Sequence, residues 1–189
     1  MQRESYNKLM IAFLMVLCLG IGIGSIYMMR ANNEEFLHIK DYLNSFFSML
    51  GDLNKRQVLK NSLYDSLILA TVIFICGFFR PGIVGVAICI AKKGFVMGFT
   101  SASMLKCFGI KGLLINIAYL PSILISLPML IYFSIGSATV SGNNTNIRKK
   151  LLIRYIFFAI ITITIFSVAS FLEAYLTTTF MKLIAPTIF

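Results

Sequence analysis

Charge is scarce in this sequence. Aspartate, glutamate, lysine and arginine make up 13% of its 189 residues, about half the share of a soluble globular domain. With 58% hydrophobic residues and a mean hydropathy of +0.87, that scarcity excludes a water-soluble domain and indicates an integral membrane protein. Histidine is nearly missing: His38 stands alone, so neither a histidine-based metal cluster nor a conventional histidine-containing triad can be assembled. The four cysteines (Cys18, Cys76, Cys89, Cys107) lie within or beside apolar segments with no metal or redox spacing, and read as lipid-facing or packed thiols. No G-x-S-x-G elbow occurs. Nothing here points to an enzyme, a metal or a cofactor.

The charge that is present is mostly positive, with 17 Lys and Arg against 7 Asp and Glu and a net charge of +10. These basic residues are scattered around apolar blocks and form no interleaved basic and aromatic surface. They read as membrane flanks, in contact with the lipid bilayer and not with nucleic acid.

The apolar blocks are long enough to cross about 30 Å of hydrocarbon. The first covers residues 9–29, between Lys8 and Arg30. A secretory signal peptide is its rival, but the run stays apolar through residues 26–29, which favours an uncleaved anchor. The polar stretch 31–62 has helical punctuation: Asn33 can cap, Glu34 and Glu35 suit the positive end, and Gly51 can terminate. Phe36, Ile39, Leu43, Phe46, Phe47 and Leu50 follow one apolar face. An amphipathic helix is predicted near 34–50, lying on the membrane surface or offering a face to a partner. Residues 63–79 form a second span, ended by the turn signal Arg80-Pro81-Gly82. Residues 112–137 form a fourth, which Pro121 and Pro128 are predicted to kink, and 151–175 form a fifth. The tail from 176 reads as a short interfacial helix stopped at Pro186.

The run 83–105 is the difficult one, because Lys92 and Lys93 stand at its middle. A charge at the bilayer centre costs roughly 2.5 to 3.5 kcal/mol on insertion scales. Either the lysines serve a function inside the bundle, or the helix breaks and they reach water. The turn at Pro81-Gly82 and the seventeen residues of 94–110, just enough to span, favour a break. Residues 83–91 would then form a short interfacial or re-entrant piece, with Lys106 snorkelling to the opposite face. The expected fold is an all-α polytopic membrane helix bundle, one domain over 1–189, with about five transmembrane helices. It carries a broken or re-entrant segment near 83–93 and an extracytoplasmic loop, 31–62, with the amphipathic helix near 34–50. Counted this way, nine of the seventeen basic residues share the side of the N-terminus, which leaves orientation nearly undetermined. The dense Arg148-Lys149-Lys150 cluster, with Arg154 a turn further on, resists translocation and places that loop and the N-terminus in the cytoplasm. The sequon Asn143-Asn144-Thr145 is then a chance match.

Gly20-Ile21-Gly22-Ile23-Gly24 lacks both the last glycine and the preceding strand of a dinucleotide loop. Gly20 and Gly24 do form a small-xxx-small pair, as do Gly94 and Gly98, and such rows let helix backbones approach closely. They suit packing within the bundle or against a partner's helix. Glu173 is the one acidic residue near the end of an otherwise uncharged span, about 28 Å of helix beyond Arg154. A structural pairing with Lys106, Lys111 or a backbone donor is expected, with a proton or ion site as the alternative.

From Lys93 onward the chain resembles the stage II sporulation protein M family of endospore-forming bacteria. The likeness rests on Lys93-Gly94-Phe95-Val96-Met97-Gly98-Phe99, on Gly109-Ile110-Lys111-Gly112 before Leu120-Pro121, and on Phe171-Leu172-Glu173-Ala174-Tyr175 with Met181-Lys182-Leu183. Residues 63–92 match in hydropathy and the first 62 in layout; Lys92 stands outside the pattern. The resemblance implies a five-span protein of the bacterial cell membrane, at the sporulation septum of the mother cell, that takes part in forespore engulfment. It would be a non-catalytic scaffold for the peptidoglycan-degrading stage II sporulation proteins D and P. Gly20, Gly24, Lys93, Gly94, Gly98, Phe99, Pro121, Glu173 and Tyr175 are the candidate packing or partner residues. A small transporter or channel is the competing class, motivated by Lys93, Glu173 and the two prolines.

Overall fold

In the computed structural model, residues 2–49, 55–79, 81–141, 145–177 and 179 are described. They form α1 (Gln2–Arg30), α2 (Asn33–Met49), α3 (Lys55–Cys76), α4 (Gly82–Phe108), α5 (Ile110–Ser141) and α6 (Thr145–Leu172), followed by a π-helical segment, Glu173–Thr177. All but α2 are long and apolar enough to cross a membrane. The chain is a multi-pass, all-helical membrane protein.

Hydrogen bonds between helices show which ends meet. At one end, Tyr155 of early α6 donates to the carbonyls of Ile73 and Phe74 in late α3, at 3.2 and 3.4 Å. Ser137 of late α5 donates to the Ile73 carbonyl at 2.9 Å, and Ser141 to that of Phe79. At the other end, Lys106 of late α4 donates to Met28 and Met29 at the close of α1, and Asn116 of early α5 donates to Ser101 of α4. Successive spans therefore run in alternating directions. The backbone bonding thins where α3 ends, with the Gly77 N–H shared between the Ile73 and Phe74 carbonyls at 3.3 and 3.2 Å, and three hydroxyls add donors that the hydrocarbon cannot supply. The Tyr155 ring is stacked between Phe74 and Phe133, centroids 5.2 and 5.5 Å away. Gly77 leaves room for it, because a Cβ there would lie 2.9 Å from the ring.

The closest helix pair is α1 with α4. On α1 the buried stripe is Phe13, Leu17, Gly20, Gly24 and Met28; on α4 it is Gly82, Val86, Ile90, Gly94 and Gly98. The two glycine rows face each other. A Cβ on Gly20 would sit 2.6 Å from the Ala91 carbonyl oxygen, and one on Gly94 2.6 Å from that of Leu17; Gly24 and Gly98 meet the carbonyls of Phe95 and Ile21 more closely still. Ser25 adds a hydrogen bond to the Gly98 carbonyl at 3.2 Å.

The break expected near 83–93 does not occur. The packing stripe on α4 repeats every four residues through the lysine pair, so α4 continues as one helix of 27 residues. Lys93 lies about 16 Å along it from Gly82, in the interior of the span and not at its end. Lys92 is exposed on the helix surface, where its long stem can carry the ammonium toward the interface. With both lysines inside the span, they leave the charge count for the N-terminal side.

Other boundaries shift for local reasons. Gly109 adopts φ 56°, a left-handed conformation that suits glycine, and ends α4 with its N–H on the Leu105 carbonyl, so α5 starts at once. The cap of α2 is Asn32 and not Asn33: the Asn32 N–H is accepted by Glu35 Oε2 at 3.3 Å, one half of a capping box. α5 runs on through Pro121 and Pro128, both exposed. Arg80, Gly51, Asn143 and Asn144 lie outside the described residues, as does most of the interfacial tail expected from 176, of which 176, 177 and 179 are described.

Candidate functional site

Four spans contribute polar groups to one internal cavity. α3 supplies Ser66, α4 Lys93, α5 Ser122 and Ser126, α6 Ser170, and the π-helical segment Glu173; Leu69, Leu127, Leu130, Phe166 and Ala169 complete the wall. Its volume is about 30 Å³, room for one or two waters. Lys93 and Glu173 are each half-buried, and they share the cavity without a direct ion pair.

Hydrogen bonds fix most of the lining. Ser62 Oγ donates to Glu173 Oε2 at 2.8 Å. The Ser66 and Ser170 hydroxyls are 3.3 Å apart, and Ser122 donates to the Ala169 carbonyl at 3.0 Å, joining α5 to α6. Glu173 opens the π-helical segment; such single turns re-aim side chains and recur at functional sites. The arrangement opposes one cation and one carboxylate across a hydroxyl-lined space, which can hold water or a small ion and lowers the cost of placing Lys93 inside the span.

Of the groups expected to pair with Glu173, Lys106 does not do so. Lys106 is engaged elsewhere: its Nζ donates to the Met28 and Met29 carbonyls at 3.1 and 3.4 Å and lies 4.9 Å from the centre of the Phe36 ring. It thus caps α1 and clamps α2. Lys106→Met should cost about 2 kcal/mol, from a charged hydrogen bond and a cation–π contact. A thermal unfolding midpoint equal to that of the parent protein would contradict this.

The other residues singled out in the sequence separate into distinct roles. Gly20, Gly24, Gly94 and Gly98 are filled by one another, so these rows have no room for a partner's helix. Phe99 is half-buried and packs with Tyr27 and Phe95, centroids 6.2 and 6.1 Å away. Pro121 faces outward, and Tyr175 is exposed beside Phe171 at 4.4 Å. The amphipathic helix turns Ile39 and Leu43 onto Met104 and Ile115 of the bundle, which leaves Leu37 and Tyr42 55% and 72% exposed.

Sequence reasoning missed the serines. A signal was present, because Ser62/Ser66, Ser122/Ser126 and Ser170/Glu173 are polar pairs at three- or four-residue spacing, each marking one helical face. Compared with protein-family models, curated proteins and solved structures, the chain matches none.

Proposed function

We propose that this protein is a non-catalytic membrane scaffold which, in an endospore-forming host, holds the peptidoglycan-degrading stage II sporulation proteins D and P at the septal membrane during engulfment. The observation that carries the reading is where the motif residues lie. Gly94 and Gly98 pack α4 against α1, while Lys93 and Glu173 line one cavity between α4 and the helices opposite, so the motifs lie where the helices meet and form a frame. On that frame α2 is held at one end by Lys106, Ile39 and Leu43, and it displays Leu37 and Tyr42. That outward face is the surface we assign to the extracytoplasmic parts of the partners.

Deleting the gene in a sporulating host and imaging the septum tests the role: membrane migration should stall and the D and P proteins should mislocalise. Normal engulfment with both correctly placed would sink it. The transporter or channel reading has one observation in its favour, the shared cavity of Lys93 and Glu173, although about 30 Å³ fits water or a monatomic ion and no larger solute. In liposomes, substrate-dependent flux abolished by Glu173→Gln or Lys93→Met would favour it. The scaffold reading expects no flux and co-purification with D and P.

A further inference from the structure

At the end of the bundle opposite α2, the start of α1, the end of α5 and the start of α6 enclose an open groove of about 340 Å³, within the size range of small-molecule sites. Val140, Gly136 and Phe158 give it an apolar lining, and Arg154 a charged one. Tyr6 and Tyr132 also line it, their ring centroids 6.4 Å apart. Tyrosine and arginine beside an apolar surface at the end of a span are the composition of the bilayer interface. Among the described residues no carboxylate lines the groove. The sequence places further basic residues on the same helix ends, Lys8 in α1 and Arg148, Lys149 and Lys150 in the first turns of α6.

We propose that this groove binds one anionic glycerophospholipid, with its phosphate on the Arg154 guanidinium and an acyl chain along Phe158, Gly136 and Val140. Charge complementarity selects this occupant. A guanidinium engages phosphate through two parallel hydrogen bonds, and a basic pocket between transmembrane helices favours an anionic headgroup over a zwitterionic one. The site would anchor the α1, α5 and α6 ends in one leaflet, independently of any partner protein.

The test is native mass spectrometry of the full-length protein in neutral detergent, titrated with phosphatidylglycerol or with phosphatidylcholine of identical acyl chains. Phosphatidylglycerol should bind about fivefold more tightly, the effect of one basic residue near the headgroup. Arg154→Gln should remove that preference. Gly136→Leu, whose Cβ would come no closer than 3.7 Å to a neighbouring ring, should fold and weaken both lipids by obstructing the groove. Arg30→Gln, at the other end of α1, should change neither. Equal binding of the two lipids by the parent protein, an undiminished preference in Arg154→Gln, or unchanged lipid binding in Gly136→Leu would each overturn the proposal.

Discussion

Gly98→Leu will pry α1 from α4 and lower stability by about 3 kcal/mol, the upper end of the usual cost of overpacking. The obstacle is backbone: a Cβ at Gly98 meets the Ile21 carbonyl, and one at Gly24 meets that of Phe95. No side-chain rotation relieves such a clash, so the helices must separate and give up the Phe13, Leu17, Val86 and Ile90 contacts above it. Gly22 is the internal control, with nothing within 4 Å of its Cβ position. Gly22→Leu should therefore be neutral or gain a few tenths of a kcal/mol from helix propensity. A thiol-reactive fluorophore can follow thermal unfolding, since Cys89 and Cys107 are half-buried free thiols. Equal midpoints for the two leucine variants would refute the facing-row geometry.

The second large effect concerns Lys93 and Glu173. Lys93→Met leaves a carboxylate in the cavity without its countercharge, and Glu173→Leu leaves an ammonium. Each should cost about 2 kcal/mol, less than the 3–5 kcal/mol of a fully buried pair because both groups are half-buried. The double variant should cost about as much as either single one, since an apolar cavity strands no charge. That gives a coupling of about 2 kcal/mol, within the range for residues sharing a network. Strict additivity would show that the two groups do not sense each other. Glu173→Gln should fall between, because the amide oxygen can still accept from Ser62.

Hydropathy counts the charge of Lys93 but not the hydroxyls that other helices bring to it, and Ser66, Ser122, Ser126 and Ser170 come from three separate spans. Judged alone, residues 83–105 demanded a break; in the bundle, the same residues pack along one four-residue stripe and α4 stays whole. The five spans and the amphipathic helix were legible because each is set by its own composition and period. The glycine rows were legible as close-packing surfaces, but their partners were not, since spacing on one helix does not say which helix faces it. Lys106 was likewise visible as a snorkelling cation, while the carbonyls it caps, at the end of α1, are 77 and 78 residues away in sequence.

The position of Lys93 is the point on which the architecture turns, and labelling decides it most directly. In a variant with all four native cysteines replaced, Lys93→Cys, Lys8→Cys and Lys111→Cys would be introduced one at a time and exposed to a membrane-impermeant maleimide from each side. A continuous α4 predicts that the thiols at 8 and 111 react from opposite sides and that the thiol at 93 reacts from neither. Rapid reaction at 93 from the side that labels position 8 would contradict it, restoring a broken helix with its lysines in water.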